Sequence, residues 1–127
     1  KIPQGEKIAF LKAIQRAKLT KINHQVVIMS SLNFYQGAAA TKLLEFGANI
    51  SIVIGEEKNG LTHLSARAET GFKEEFNFNL MKDLFIPLQK KIGGDSGGHS
   101  GAAQWKGDEK ERVVSKEILK ILEKRLN

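Results

Sequence analysis

Apolar residues recur at helical spacing near the amino end. Phe10, Ile14 and Ala17 form one row and Ile8 and Leu11 another, with Lys7, Lys12, Arg16 and Lys18 between them. This spacing predicts a basic amphipathic helix over residues 5–19. A short apolar run, Val26-Val27-Ile28-Met29, follows between polar residues and is the length of a buried strand. Ser30, Ser31 and Asn33 are available as caps for a helix from about Tyr35 to Phe46, and Gly47 stands where a left-handed terminator is needed. Ile50 to Ile54, rich in β-branched side chains, predicts a second strand. The order strand, helix, strand is that of a right-handed β–α–β unit.

The segment Glu56-Glu57-Lys58-Asn59-Gly60 carries an Asn-Gly hairpin signal and leads into a third strand, Leu61 to Ala68. Alternation along that strand sets His63, Ser65 and Arg67 on one face and Leu64 and Ala66 on the other. A polar turn is expected around Gly71, then a helix over residues 77–91 bent near Pro87. Ala102, Ala103 and Trp105 suggest one more strand. The chain closes with a helix from about Asp108, where Asp108 and Glu111 fit a capping box and Val114, Ile118, Ile121, Leu122 and Leu126 form the apolar stripe. The expected fold is α/β: a single domain over residues 1–127, with a mixed sheet of four to five strands flanked by helices. Residues 1–24 read as an amino-terminal helix and lead-in, and residues 25–127 as the core.

Charge adds a partner class. Twenty Lys and Arg against 14 Asp and Glu leave a net charge of +6, which suits an anionic partner such as nucleic acid. The chain has no cysteine, so disulfides and thiolate zinc sites are excluded, as fits a reducing cytoplasm. No apolar run approaches a membrane span, and no membrane partner is expected.

The most unusual stretch is Gly93-Gly94-Asp95-Ser96-Gly97-Gly98-His99-Ser100-Gly101-Ala102-Ala103. Successive amides of such a loop can converge on an anion. A short helix starting after His99 would add its own N–H groups, with His99, Ser96 and Ser100 as side-chain donors. The bland alternative is a flexible connector ending the preceding helix. A P-loop is excluded because no Gly-Lys-Ser/Thr follows, and a dinucleotide fold because the glycines follow a helix.

Gly97-Gly98-His99-Ser100-Gly101-Ala102-Ala103 is similar to the Gly-Gly-Gly-His-x-x-Ala-Ala-Gly signature of the DHHA1 domain. That domain is the carboxy-terminal part of RecJ-type exonucleases, nano-RNases and related DHH phosphoesterases, and it also occurs in alanyl-tRNA synthetase. The resemblance extends upstream through the Ala-rich helix Gly37 to Leu44, the strand Ile50 to Ile54, the turn Asn59-Gly60 and the Ser65-Ala66-Arg67 strand, covering residues 25–126. It implies that Gly97, Gly98, His99 and Arg67 bind a substrate phosphate, with Ser65 and Ser100 beside them. Two departures stand out: Asp95 and Ser96 interrupt the family's glycine run, and Gln104 replaces the glycine after the paired alanines.

In this family two divalent ions, manganese or magnesium, sit in the amino-terminal catalytic half. Such a site needs several converging carboxylates, whereas the aspartates here, Asp83, Asp95 and Asp108, are scattered. No catalytic residue, metal site or cofactor is therefore assigned to this chain. The expected function is a substrate-binding domain for single-stranded nucleic acid or a short oligonucleotide. Its partner would be a DHH catalytic domain, in the same longer chain or separate. The alternative is a non-catalytic interaction subunit docking on a replication, repair or translation protein. Tyr35 and Trp105 are the candidates for base stacking, with core packing the default for both.

Overall fold

The computed structural model describes residues 2–127. One six-stranded mixed sheet organises the chain, in the order β1-β2-β3-β4-β6-β5. Helix α1 (Gln4–Arg16) leads into the hairpin β1 (Lys18–Ile22) and β2 (Gln25–Ser31). Helix α2 (Gln36–Glu45) then crosses to β3 (Ile50–Glu56), which turns back into β4 (Thr62–Ala68). Helix α3 (Thr70–Phe76), a π-helical turn (Leu80–Phe85) and α4 (Ile86–Ile92) precede β5 (Asp95–Gly98), β6 (Ala102–Gly107) and the closing helix α5 (Glu111–Leu126). Only β2 and β3 run parallel, joined through α2. Every other pairing is antiparallel.

The alternation of strand side chains creates two unequal layers. Ile50, Ile52 and Ile54 of β3, Leu64 and Ala66 of β4, and Ala103 and Trp105 of β6 point to one face. There they meet Leu80, Leu84, Phe85, Leu88 and the α5 stripe Val114, Ile118 and Leu122. Each such fully buried aliphatic side chain contributes about 1.5–3 kcal/mol relative to exposure. The opposite face is covered by α1 over β2 and by α2 over β3 and β4, through Ala9, Ala13, Ala39, Ala40, Leu43 and Val53. Alanines let these helices lie close. The Ser51 hydroxyl on β3 donates to the Ala40 carbonyl at 2.6 Å, and the Ser30 hydroxyl on β2 donates to that of Ala13 at 2.6 Å. The outer strands β6 and β5 have no helix over this second face. These two of the six strands are the open part of the sheet beside α2.

The structure has six strands where the pattern predicted four to five, and the two additions have separate causes. The predicted helix over 5–19 stops at Arg16 because Lys18–Ile22 pairs with β2 through the two-residue turn Asn23-His24, with φ of 46° and 74°. Positive φ at both turn positions is what a tight right-twisted hairpin requires. The new strand is a polar edge with only Ile22 buried, so its alternation is faint. Asp95–Gly98 pairs with β6 as the opposite edge, although glycines carry no strand pattern at all. Residues 4–22 are therefore part of the same sheet-and-helix assembly rather than a lead-in.

Other expectations shift locally. The turn around Gly71 is helix α3, capped by Glu69, whose carboxylate accepts from the Gly71 and Phe72 amides at 2.8 Å each. The helix expected over 77–91 begins as a π turn. Pro87 has no N–H for the Asp83 carbonyl and its ring crowds that oxygen, so the preceding turn widens. The Asp108–Glu111 capping box is not formed. Lys110 is the N-cap without a side-chain bond, and the Glu111 carboxylate instead accepts from the Ser31 hydroxyl at 2.7 Å. Among the described residues no helix is long and apolar enough to cross a membrane.

Trp105 is 1% exposed, and its indole N–H donates to the Gly93 carbonyl at 2.9 Å. Gly94 lies against the ring, since a Cβ there would come within 2.6 Å of Nε1. Trp105 is core, which removes it as a base-stacking candidate. Replacing it with alanine is expected to cost about 3–5 kcal/mol, as for other large aromatic truncations, read as a lower urea midpoint. Phe34→Ala, at a residue 73% exposed, should change stability by no more than about 0.5 kcal/mol.

Candidate nucleic-acid interface

The strand register assembles the open face in three rows. Arg67 pairs with Ala102. Ser65 pairs with Gln104, which pairs with Gly97. His63 pairs with Lys106, which pairs with Asp95. Cross-strand partners share a face, so Arg67, Ser65 and Gly97 of the six residues singled out for phosphate contact lie on this surface, and His99 and Ser100 follow in the turn that leads into β6. Gly98 lies between Gly97 and His99 at the rim. A concavity of about 370 Å³ runs over the lower two rows, bounded by His63, Ser65, Gly97, Gln104, Asp95 and Lys106. A Cβ on Gly97 would meet nothing within 4 Å, so the surface is unobstructed there. Ser65 forms its floor, 8% exposed.

Arg67 lies at the α2 side of this surface. Its guanidinium rests against the first turn of α2, where a Cβ on Gly37 would be only 2.8 Å from Nη2. Nη1 donates to the Ala66 carbonyl at 2.8 Å. Burial pushes the Arg67 guanidinium below its usual very high range, yet guanidinium stays charged in proteins. Among the described residues no carboxylate forms an ion pair with it. A partly desolvated cation without a counter-charge is an unfavourable arrangement that an anion would relieve.

The glycine-rich loop is a fixed turn rather than a flexible connector. The Ser100 carbonyl accepts from the Leu80 amide and the Gly101 carbonyl from the Ala68 amide, each at 3.0 Å. The His99 amide donates to the Ala102 carbonyl at 2.9 Å, and the Gly101 amide to His99 Nδ1 at 3.3 Å. No helix starts after His99, because the chain enters β6 at Ala102; helix N–H groups therefore play no part. Two of the loop's amides are spent internally, fewer being free than a converging loop would offer. Among the described residues the Ser100 amide makes no such bond. The His99–Ala102 bond leaves Gly98 opposite Ala103 in a non-bonded pair, whose amide points off the sheet edge. The Gly101 bond needs His99 Nδ1 unprotonated, which leaves Nε2–H as the donor.

A cation that the sequence pattern hid joins this loop. Lys73 on α3 reaches the Ser100 hydroxyl at 3.3 Å, and a Cβ on Gly101 would lie 2.7 Å from its Nζ. With segment 69–76 read as a turn, no periodicity aimed Lys73 anywhere. His63 belongs to the face but not to the donor set: its Nδ1 lies 4.0 Å from Glu57, and its Nε2 is enclosed without a partner. Glu57 is in turn held by Lys106 at 2.9 Å, and the Lys106 hydrogen bond lowers the carboxyl below its ordinary range.

The two departures from the family motif acquire positions. Asp95 belongs to the His63 row, four residues from the Arg67 row, or about 13 Å at about 3.3 Å per residue. That exceeds the Debye length of about 8 Å at physiological salt, so Asp95 leaves the cationic end largely untouched. Gln104 stands exposed in the middle row and puts an amide donor and acceptor where the family has a bare backbone. Of the aspartates, Asp83 pairs with Arg125 at 3.4 Å, Asp95 edges the sheet and Asp108 is exposed. Among the described residues no three His, Asp or Glu side chains converge to hold a metal.

No protein-family model and no curated protein matches the sequence. Fold comparison does find counterparts. The C-Ala domain from Aquifex aeolicus alanyl-tRNA synthetase superposes with a TM-score of 0.63 at 12% identity, over 86% of this chain and 97% of that one. An exopolyphosphatase-related protein from Bacteroides fragilis superposes with a TM-score of 0.68 at 13% identity, over 98% of this chain and 36% of that one. At these identities the likeness is one of fold. The chain spans little more than a third of the second counterpart.

Two glycine substitutions separate loop geometry from loop space. Gly98 has φ of 131°, and a Cβ there would be 2.6 Å from Ala103 Cα, so Gly98→Ala is expected to cost at least about 1–3 kcal/mol of stability. Gly97→Ala meets open space and should unfold within about 0.5 kcal/mol of the parent. Thermal or urea denaturation of the pair reads the difference.

Proposed function

We propose that this chain is a DHHA1-like binding domain that holds single-stranded nucleic acid by its phosphates, as the substrate-binding half of a DHH-type phosphoesterase. The observation that carries the reading is Arg67: a partly buried guanidinium against α2, without a carboxylate partner among the described residues. Its cross-strand partner Ala102 accepts from the His99 amide, in the turn that also carries Gly98 and Ser100 and that Lys73 meets. Arg67 supplies a planar fork suited to two phosphate oxygens. The Ser100 and Gly98 amides and the His99 Nε2–H are uncharged donors that fix orientation. Both fold counterparts carry names tied to phosphate polymers, a tRNA and a polyphosphate, and the Gly-Gly-His and Ser-x-Arg motifs fall on the same surface. These support the reading together.

In this assignment the chain binds and positions, while the divalent ions, manganese or magnesium, and the hydrolytic step belong to a DHH catalytic domain. The strand would lie across the outer half of the sheet, its phosphates toward Arg67 and Lys73. Contacts made to phosphate carry little sequence information, so affinity should be similar across base sequences and fall steeply with salt.

Titration with short single-stranded DNA and RNA at two salt concentrations tests this. The parent should bind at low salt. Arg67→Ala should lose roughly 10- to 100-fold, the size of a lost charge-assisted hydrogen bond of about 1.5–3 kcal/mol, and the salt slope should fall by about 0.7 for each phosphate contact removed. Binding of neither ligand at low salt, or undiminished binding by Arg67→Ala, would overturn the proposal and favour the docking role.

Gly37→Ala offers a subtler check. The added methyl meets the end of the Arg67 side chain and no backbone, and alanine in place of helical glycine favours the helix by up to about 1 kcal/mol. Thermal unfolding should show a protein at least as stable as the parent, and oligonucleotide titration should show weaker binding.

A further inference from the structure

The strand path has a second station at the carboxyl ends of the parallel strands β2 and β3, where open α/β sheets characteristically bind ligands. Here Leu32–Tyr35 connects β2 to α2, and a concavity of about 290 Å³ opens between this connection and α1. Leu32 and Ala9 floor it, and Lys12, Arg16, Phe34 and Tyr35 wall it. Phe34 is 73% exposed and Tyr35 48% exposed, large apolar surfaces to leave in water. Tyr35 is also left-handed at φ of 58°, a conformation that bulky residues rarely adopt and that concentrates at functional sites. No carboxylate lines the concavity, and neither Lys12 nor Arg16 forms an ion pair among the described residues.

This station is continuous with the phosphate face. His63 borders both the sheet concavity and a neighbouring one of about 430 Å³, which Phe34 also lines, and Phe34 in turn borders the concavity beneath α1. In the intervening stretch Glu57 is held by Lys106, while the exposed Glu56 and Lys58 line the same concavity without an ion pair among the described residues, so the passage carries both signs of charge. Exposed aromatic rings between unpaired cations are the chemistry that holds unpaired bases while gripping their phosphates.

We infer that Phe34 and Tyr35, with Lys12 and Arg16, form a base-stacking subsite for a strand that already occupies the Arg67 face. This rests on the proposed phosphate-binding function and extends it from a terminal contact to a path several nucleotides long. A short ligand occupies the sheet face alone; a longer one reaches both stations.

Three ligands separate the possibilities: a 5′-phosphorylated thymidine dinucleotide, a thymidine octanucleotide and an abasic octanucleotide with the same phosphates. Phe34→Ala should weaken the octanucleotide roughly tenfold, the scale of one lost base stack, and leave the dinucleotide and abasic ligand unchanged. Phe34→Trp should retain octanucleotide affinity. Lys12→Gln with Arg16→Gln should lower the salt slope for both octamers and not for the dinucleotide. If Phe34→Ala leaves octanucleotide affinity intact while Arg67→Ala reduces it, the stacking subsite is wrong and the phosphate face stands. Equal losses for normal and abasic octamers would also overturn stacking. Should the parent bind none of the three, the phosphate reading itself fails and the subsite with it.

Discussion

The pairing of β4 with β6, and of β6 with the short edge strand β5, is the constraint on which the site depends. It places Arg67 opposite Ala102, and the His99 amide closes onto the same residue's carbonyl at 2.9 Å. A shift of one residue in this register would turn Arg67, Ser65 and Gln104 into the core and bring Leu64 and Trp105 out to water. The register is therefore protected by the packing of Trp105, Leu64 and Ala66 on the far side. The same alternation that fills the core presents the polar row. Stability and site geometry share one cause.

A second consequence comes from the unequal coverage of the sheet. Helix α1 covers β2 and helix α2 covers β3 and β4, leaving Arg67 under the edge of α2, next to the uncovered strands β6 and β5. The helix removes part of its water, and nothing in the described chain replaces the lost solvation with a negative charge. Ser65 lies on the open face, and the turn of Gly98 and Ser100, which Lys73 meets, leads into it. Asp95, the one acidic side chain on its edge, lies far enough along the sheet to be screened. The polarity of the face consequently runs from cationic beside α2 and α3 to nearly neutral at the Glu57–Lys106 pair.

How far this was legible in the residues depended on what each pattern encodes. Strands β2, β3 and β4 announce themselves through Val26 to Met29, Ile50 to Ile54 and the alternation of Leu61 to Ala68, and α5 through its apolar stripe. Arg67 and Ser65 were placed on one face by alternation alone. Strand β1 was hidden because an edge strand with Lys18 and Lys21 three residues apart looks like the end of a basic helix until Asn23-His24 turns it back. Strand β5 was hidden because glycine has no side chain to alternate. It exists through pairing with β6, and Gly94 and Gly98 are small because Trp105 and the β6 backbone press against them. Lys73 was illegible for a different reason: its role follows from where α3 docks against the loop, which no local pattern records. Trp105 stayed open between core and stacking surface, with core the default, because an indole looks the same in both and only its neighbours decide.

The central claim is that phosphate oxygen is held between the Arg67 guanidinium and the outward amides of the Gly98–Ser100 turn. The direct test is an ¹H–¹⁵N NMR titration with a 5′-phosphorylated dinucleotide, following backbone amides and arginine Nε signals together. The account predicts the largest shifts at the Gly98 and Ser100 amides and at Arg67 Nε, saturating in parallel with one affinity. Saturable shifts elsewhere with Arg67, Gly98 and Ser100 unmoved, or no saturation at all, would contradict it.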